Sequence, residues 1–446
     1  MINLSISQIK KLGKSIRNNL REIDTVEEEN LEKLQAYRIS HQATINIVFD
    51  YLVKRSKHHY KGSLIVYRLK RIDTIIRKIA RYQTMDLSKM QDIAGCRAIV
   101  GSERQIYNIV ADFDNNPNFE VIDRNDYIIK PRDTGYISYH LIVRPINEER
   151  FVEIQLRTRS QHLWATLVEI TDVIFNIKLK EGEDHPDLYQ FHKLLANRGE
   201  NLSLDDKTQL VEIDRRLDII SKVTSLFKAN LYVSIDRWCK ALNGKDAQFL
   251  IMELDSNLSP VFHFYNEFLE AENSYFQKFA RNEPNMVLIH VNQPDFEKIG
   301  LAYSNYVLTS HPSIRSYIQI LQNLILELRD NNLIRAIDYF EYYKSLVNNI
   351  INAFDSEINE INTLVDNVIS ESIIETNREA NEARKKYLDI ATDWKNNFGE
   401  RLDYLKKSHL EFLEKFSGIH TTNKPKGNFL KSVRSFFNKN KNNLSI

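Results

Sequence analysis

A carboxylate, an amide and a guanidinium alternate with apolar side chains in the segment RFVEIQLR, residues 150–157. Successive side chains of an extended strand point to opposite faces, so Glu153, Gln155 and Arg157 share one face. The ordinary explanation is the solvated face of a half-buried antiparallel strand. The alternative is a face that binds a metal ion and phosphates, and the rest of the chain has to decide between them.

A second group of charges lies in YRLKRIDTIIRKIARY, residues 67–82, whose apolar spacing predicts a basic helix. Lys70, Thr74 and Lys78 fall at i, i+4 and i+8 on one helical face, with Arg68 at the helix start. Cations stacked on one stripe repel each other unless an anion lies between them, and a polyphosphate would suit. Taken alone, a solvated basic face explains the pattern equally simply. The apolar stripe is Leu69, Ile72, Ile76 and Ile79.

Acidic and basic residues also flank the predicted strand in MQDIAGCRAIVG, where Asp92 precedes the strand and Arg97 lies inside it. An acid at a strand start is common as a turn residue. Asp92 gains interest as a second carboxylate for Glu153. Two carboxylates from neighbouring strands suit Mg²⁺, because this hard ion prefers oxygen ligands and keeps substrate phosphates in its shell.

A glycine-containing turn, PRDTG, begins with Pro131 and Arg132 and leads into the strand pattern YISYHLIV. Tyr136 and His140 fall on one face of that strand. An exposed tyrosine after such a turn could stack on a base. A half-buried strand tyrosine with a hydrated hydroxyl is the common alternative.

An α/β unit over residues 61–182 must position these side chains, since strand and helix periods alternate there. Besides the basic helix, we expect strands at CRAIVG, near 118–128, at YISYHLIVRPI and at RFVEIQLR, and helices near 103–114 and from Ser160.

Four further regions flank this unit. They are N-terminal helices over 1–60, a helical linker with a small α/β subdomain over 183–312, a helical, coiled-coil region over 313–420 and a basic flexible tail over 421–446. A 4-3-4-3-4-3 spacing predicts a coiled-coil seam that a second helix of the same chain would close. Its residues are Val347, Ile351, Phe354, Ile358, Ile361, Val365 and Val368.

Composition limits the class of protein. The 446 residues carry a formal charge of +1, so overall charge predicts neither nucleic acid nor membrane as a partner. Two cysteines, Cys96 and Cys239, form neither a disulfide framework nor a zinc cluster. No stretch reaches the ~18 apolar residues of a membrane span. We therefore expect a soluble, cytoplasmic protein.

In this order, the motifs resemble those of the RelA/SpoT-type alarmone synthetases, whose synthetase domain belongs to the nucleotidyltransferase class. The resemblance covers residues 50–182 and is strongest at DTGYISYH and at VEIQLRT with the following WA. It implies an α+β fold with a nucleotidyltransferase-like mixed sheet and flanking helices. It also implies the family's reaction, which moves a pyrophosphate group from ATP to the 3′-hydroxyl of GDP or GTP and makes (p)ppGpp.

The resemblance assigns roles to positions of this chain. Asp92 and Glu153 would hold Mg²⁺ and, with Arg97, form the catalytic set, while Glu153 would also activate the attacking hydroxyl. The other implied contacts are Arg68, Lys70, Thr74 and Lys78 to ATP, and Arg132, Tyr136, His140, Gln155 and Arg157 to the acceptor.

The chain also departs from the family pattern. It has Asn125 where a basic residue is frequent, Thr134 where asparagine is frequent, and Val168-Glu169 where Glu-His often follows the tryptophan-alanine pair. It therefore looks like a divergent, longer member, and KHHY at 57–60 lacks the separated ligands of the family's hydrolase site.

Two alternatives stay open beside a synthetase that makes (p)ppGpp. A toxin-type relative would pyrophosphorylate the 3′ end of tRNA, with the basic tail helping to hold RNA. A catalytically silent nucleotide sensor would use the helical C-terminal half as its interaction module. That half could equally mediate homo-oligomerisation or bind a regulatory partner.

Overall fold

The computed structural model describes the greater part of the chain: residues 4–22, 25–82, 84–132, 135–177, 179, 185–196, 202–225, 237–238, 241, 247–254, 260–282, 286–290, 312–371 and 378–418. Three helices come first: α1 (Ile6–Glu22), α2 (Glu28–Ile39) and α3 (Gln42–His59). The central unit contains β1 (Leu64–Leu69), α4 (Ile72–Arg81), a 3₁₀ turn (Leu87–Lys89), β2 (Ala94–Val100), α5 (Glu103–Asp114), β3 (Phe119–Asp126), β4 (Tyr139–Pro145), β5 (Val152–Thr158) and α6 (Arg159–Phe175). The remaining elements are α7 (Pro186–Ala196), α8 (Leu204–Leu217), β6 (Phe249–Leu254), β7 (Pro260–Tyr265), α9 (Phe268–Asn282), β8 (Met286–His290), α10 (Pro312–Asn331), α11 (Leu333–Glu371) and α12 (Arg378–Gly418).

The described strands form one mixed sheet in the order β3-β4-β5-β2-β1-β8-β6-β7. The β2–β5 pair is parallel, and the other pairs are antiparallel. The parallel pair is joined by a crossover through α5, β3 and β4, which allows two distant parts of the chain to lie side by side at the centre. The predicted α+β class with flanking helices is confirmed.

The predicted helix over 67–82 is wrong in its first part. Residues 64–69 form strand β1, and the helix begins only at Ile72. All of Leu64, Ile65, Val66 and Tyr67 are buried, because β1 lies between β2 and β8 with both faces covered. Burying each such side chain contributes roughly 1.5–3 kcal/mol, and an amphipathic helix would leave part of this run in water. A short apolar run after Gly62-Ser63 is the signal of a central strand.

The two faces of the sheet have different partners. One face packs against α3, α5 and α9 through the alternating apolar residues of β1, β2, β4 and β5. On the other face α11 and α12 cover Leu64, Val66 and Ile99. Further along that second face, the side chains of β1, β2 and β5 are polar and line open cavities.

Strands β6, β7 and β8 belong to the same sheet, because β8 pairs with β1 over Ile65–Tyr67. The sequence sets residues 183–312 apart as a linker and a small subdomain, whereas the described strands there hydrogen-bond directly onto the central unit. Within residues 183–312 the structure describes helix α9 and strand β8, the kinds of element expected of an α/β subdomain.

The C-terminal helices pair as the spacing predicts. Helix α12 returns antiparallel along α11, with the rings of Phe340 and Phe416 stacked 4.3 Å apart. Along the predicted seam, Val347 and Ile361 are buried, while the side chain of Val368 lies outside the description. Helices α6, α7, α8, α10, α11 and α12 share a single apolar core. Residues 291–311, Cys239 and the tail from 419 onwards also lie outside the described residues.

Among the described residues, no helix combines the length and the apolar character that a membrane crossing requires.

Candidate active site

The sheet register brings the predicted side chains together from three strands. Arg97 of β2 lies beside Gln155 of β5, and Gly95 lies beside Glu153. On the other side of β2, Arg97 pairs with Val66 of β1, and Gly95 pairs with Arg68. Because these positions share a face, the polar side chains of β1, β2 and β5 form one surface.

Two adjoining cavities of about 180 and 260 Å³ open on this surface. Their shared wall consists of Arg68, Arg97 and Gln155. The first cavity is further lined by the Lys70, Asp92 and Glu153 side chains, and the second by Arg132, Tyr136, His140, Arg157 and Trp164. Two ligands could therefore lie side by side across a wall of two arginines and an amide.

Asp92 is the centre of charge in the first cavity. Its Oδ2 accepts hydrogen bonds from Lys70 Nζ at 3.0 Å and from Lys78 Nζ at 2.9 Å. Its Oδ1 is buried and has no hydrogen-bond partner among the described residues. Burial favours the neutral acid, but the two lysines outweigh it and hold the pKa of Asp92 below its usual value.

Glu153 lines the first cavity, and its carboxylate contacts His140, which lines the second. Its Oε1 lies 2.9 Å from His140 Nδ1, and its Oε2 accepts a hydrogen bond from Gln155 Nε2 at 3.0 Å. Burial raises the pKa of the Glu153 carboxyl, yet the bond to His140 and its charge bring the pKa below the ordinary value. For His140, burial favours the neutral ring, but Glu153 and Tyr136 outweigh it and raise the pKa. The pair therefore favours a carboxylate and an imidazolium.

The two carboxylates fit a hard divalent cation. Both line the first cavity, and the unpartnered Oδ1 of Asp92 offers an oxygen that no protein donor occupies among the described residues. The described residues hold no cluster of three or more His, Cys, Asp or Glu side chains arranged as metal ligands. A cation at Asp92 and Glu153 would need further oxygens from a substrate or water, as is usual for Mg²⁺.

The second cavity has an aromatic and cationic wall. Arg157, a buried residue, donates from Nη2 to Tyr136 Oη at 2.6 Å, and its guanidinium carbon lies 5.1 Å from the ring centre. His140 Nε2 lies 2.7 Å from the same hydroxyl. The Arg132 guanidinium stacks 4.4 Å from the ring centre of Tyr127 and 5.5 Å from that of Tyr136. A flat, electron-rich ligand and an anion could both bind here.

The chain turns before Tyr136, but strand β4 begins only at Tyr139, so the prediction that Tyr136 lies on this strand is wrong. Gly135 has a φ of +81°, which side-chain-bearing residues rarely adopt, and its N–H donates to Arg132 O at 2.8 Å. A Cβ at this glycine would also lie 3.2 Å from Ala196 of α7. Both constraints fix where Tyr136 leaves the turn. Asp133 and Thr134 lie outside the described residues.

Two predicted residues occupy unexpected places. Arg68 lies on strand β1 rather than at a helix start, and Lys70 follows that strand. Lys70 and Lys78 nevertheless converge on Asp92, whose Oδ2 lies 3.0 and 2.9 Å from their Nζ atoms. Thr74 lines neither cavity, and its hydroxyl lies 3.4 Å from Asp73 Oδ1.

Helices α6 and α7 contribute residues to the second cavity to which the sequence assigned no role. These are Trp164, Val168, Glu169, Tyr189 and His192. The Trp164 indole donates from Nε1 to His192 O at 3.0 Å, which ties α6 to α7. Spacings of four residues between Trp164 and Val168 and of three between Tyr189 and His192 put each pair on one helical face, a signal visible in the sequence.

The polar strand face matches a known family. Residues 67–173 match the model of the region found in RelA and SpoT proteins. This stretch contains Asp92, Arg97, Glu153 and every acceptor-side residue that the resemblance assigned.

Two curated relatives of the chain are named GTP pyrophosphokinases. The chain is 32% identical to YjbM of Bacillus subtilis over 117 residues, which are 24% of this chain and 56% of that protein. It is 33% identical to YwaC of the same organism over 111 residues, 22% of this chain and 53% of that protein. The chain thus spans about half the length of these relatives.

Solved structures similar to the chain include small alarmone synthetase 1 of Bacillus subtilis bound to its product pppGpp. The TM-score is 0.33 at 22% identity, covering 37% of this chain and 90% of that one. A GTP pyrophosphokinase family protein of Streptococcus pneumoniae gives a TM-score of 0.29 at 24% identity, covering 40% and 91%.

Proposed function

We propose that this protein is a pyrophosphokinase that transfers the β,γ-pyrophosphate of ATP to the 3′-hydroxyl of GDP or GTP. The observation that carries the proposal is the pair of adjoining cavities, with Glu153 of the first in contact with His140 of the second. The first cavity combines basic side chains with two carboxylates and the second combines aromatic rings with arginines, so they suit a metal-bound polyphosphate donor and a nucleotide acceptor. The activity named for the curated relatives supports the same reaction.

The donor would occupy the first cavity. Lys70 and Lys78 would pair with phosphates, and Arg68 would lie against the adenine. Asp92 and Glu153 would hold Mg²⁺, which when bound supplies neutralisation of the charge that spreads over the transferred phosphoryl group. Arg97, like Arg68, lies on the wall shared by the two cavities and would be a cation beside both ligands in this arrangement.

The acceptor would occupy the second cavity, with its base on the Tyr136 ring and its phosphates near Arg132. In the reaction the 3′-oxygen bonds to the β-phosphorus, the bond from that phosphorus to the α,β-bridging oxygen breaks, and AMP leaves with the electron pair. Glu153, held ionised by His140, is placed between the ligands and would take the hydroxyl proton. Positioning and charge neutralisation do most of what such a transfer requires.

The test offers the purified chain ATP labelled at the γ-phosphate with Mg²⁺, and GDP, GTP or deacylated tRNA in parallel. We expect label on a guanosine nucleotide, lost in Glu153→Gln while ATP binding persists. Label on tRNA alone would replace the acceptor proposed here with an RNA end. Nucleotide binding without transfer to any acceptor would overturn the proposal in favour of a nucleotide sensor.

A further inference from the structure

The backbone at Leu69 and Lys70 is held from three directions. Lys70 N–H donates to Ile93 O at 2.8 Å, next to Asp92 in the chain. Leu69 N–H donates to Tyr275 Oη at 3.2 Å, and Arg38 Nε donates to Lys70 O at 2.7 Å. Tyr275 belongs to α9 and Arg38 to α2, so both contacts come from outside residues 67–173.

Tyr275 takes the place of a missing strand partner. Strand β8 pairs with β1 only over Ile65–Tyr67, so Leu69 lies past the end of that pairing. A buried N–H without an acceptor is costly, and the Tyr275 hydroxyl supplies one. The Tyr275 ring is fully buried against Tyr67, with the ring centres 5.3 Å apart, so the hydroxyl has little freedom.

Arg38 of helix α2 donates a hydrogen bond to the backbone carbonyl of Lys70. Its side chain is 2% exposed, although a guanidinium normally stays in water. Burying that charge is costly unless its N–H groups are used, and Lys70 O and Gln35 Oε1 accept two of its hydrogen bonds. The hydrogen bond from this buried cation ties the backbone carbonyl of Lys70 to helix α2.

The held segment carries a side chain of the first cavity. Lys70 Nζ lies 3.0 Å from Asp92 Oδ2, and the backbone bond to Ile93 sets the two segments side by side. A shift of Leu69 and Lys70 would therefore move this ammonium relative to the carboxylate and to a bound phosphate. The second cavity does not include Lys70 among its lining residues.

We propose that Tyr275 and Arg38 are positioning residues that set Lys70 for the donor nucleotide. The inference rests on the proposed function and deepens it: helices α2 and α9, outside residues 67–173, would determine donor affinity, not acceptor affinity. Helix α9 then acts on the site through one hydroxyl, at a distance from the reacting atoms.

The principal variant is Tyr275→Phe, which keeps the ring and removes the hydroxyl that accepts the hydrogen bond from Leu69 N–H. Its matched control is Tyr343→Phe, another buried tyrosine, whose hydroxyl accepts a hydrogen bond from Gln322 Nε2 at 2.9 Å in the helical region. Arg38→Lys is the second variant; it keeps the charge and loses the Nε donor. Donor affinity is measured by calorimetry with Mg²⁺ and α,β-methylene-ATP, in which the bond that must break is replaced.

We expect Tyr275→Phe and Arg38→Lys to weaken binding of the analogue and to raise the ATP KM roughly five- to tenfold. The GDP KM should stay within about twofold, and Tyr343→Phe should change neither. Amide hydrogen exchange of peptides containing Leu69 should quicken in Tyr275→Phe only. Equal loss for ATP and GDP, or unchanged ATP affinity in both variants, would overturn the inference.

These readouts separate the inference from the proposed function. If the wild-type chain binds the analogue but transfers nothing, the pyrophosphokinase proposal fails. The affinity for the analogue and the amide hydrogen exchange rates of the variants then still test the positioning role of Tyr275 and Arg38. If the wild-type chain transfers pyrophosphate and Tyr275→Phe matches it in ATP KM, only the positioning role fails.

Discussion

Two carboxylate clusters in the same sheet have nearly the same contacts but different surroundings. Asp92 Oδ2 accepts hydrogen bonds from Lys70 and Lys78. Glu253 Oε1 lies 2.7 Å from His263 Nε2 and 2.9 Å from Lys278 Nζ. The side chains are 23% and 17% exposed, so exposure does not distinguish them.

The two carboxylates differ in which influence on the pKa is largest. At Glu253 the hydrogen bond to His263 is the largest influence and, with Lys278, lowers the pKa to about 2. At Asp92 burial is the largest influence and opposes ionisation, and both lysines are needed to keep the pKa low. Asp92 also borders a cavity and leaves Oδ1 unpartnered among the described residues. Asp92 therefore faces a space in which a ligand could bind, whereas Glu253 lines neither of the two cavities.

The largest expected effect separates the two acids directly. Asp92→Asn should lower pyrophosphate transfer by at least roughly 100-fold, because a cation ligand is lost and two lysines remain without their counter-charge. Glu253→Gln removes a carboxylate with similar contacts and should retain transfer within about twofold. Initial rates with ATP and GDP measure both variants. Comparable losses in the two would show that the clusters do not differ in role.

A second comparison concerns the lysines. Lys78→Met should weaken ATP binding roughly tenfold or more, because a charge-assisted contact to phosphate disappears. Lys278→Met makes the same chemical change at the Glu253 cluster and should leave ATP affinity as it is. Calorimetric titration with the methylene analogue is the measurement. Tighter binding by Lys78→Met, through release of Asp92, would contradict this assignment.

The aromatic wall extends the comparison to the second cavity. Tyr136→Leu removes the stacking surface and should raise the acceptor KM roughly tenfold, while the ATP KM stays nearly constant. Tyr136→Phe keeps the ring but loses the hydroxyl that Arg157 and His140 contact, and should cost less. Steady-state kinetics with each substrate varied in turn distinguishes them. Identical losses for Leu and Phe would mean that the hydroxyl, not the ring, holds the acceptor.

The smallest effect is on stability, and it depends on pH. The folded-state pKa of Glu253 lies below the unfolded value, so its stabilisation is present above about pH 4.5 and is lost as the pH falls towards 2. The cluster is partly hydrated, so Glu253→Gln should cost at most about 1 kcal/mol near pH 6 and almost nothing near pH 2. Denaturant unfolding of both proteins at the two pH values tests this. A difference in unfolding free energy between the two proteins that grows on acidification would refute the stabilising role assigned to the Glu253 carboxylate.

Much of the site could be predicted because it follows strand periodicity. The alternation in 152–157 places Glu153, Gln155 and Arg157 on one face whatever the neighbouring strands are. Helix α5 was predicted with its observed bounds, 103–114, since a helical apolar period and a capping Ser102 act locally. The helix prediction for the basic segment was wrong at its start. The spacing at Arg68 and Leu69 is compatible with a helix, but these residues belong to strand β1, whose apolar residues are buried in the tertiary structure.

The sequence by itself determined which residue types could do the chemistry, their spacing along each strand and the family motifs that contain them. Only the tertiary structure decided which distant residues meet: Lys70 and Lys78 at Asp92, Glu153 beside His140, and Tyr275 and Arg38 at the end of β1. The reason is physical. Periodicity acts over a few residues, whereas sheet order and helix packing are set by burial and hydrogen bonding between segments that can lie more than 200 residues apart, as Leu69 and Tyr275 do.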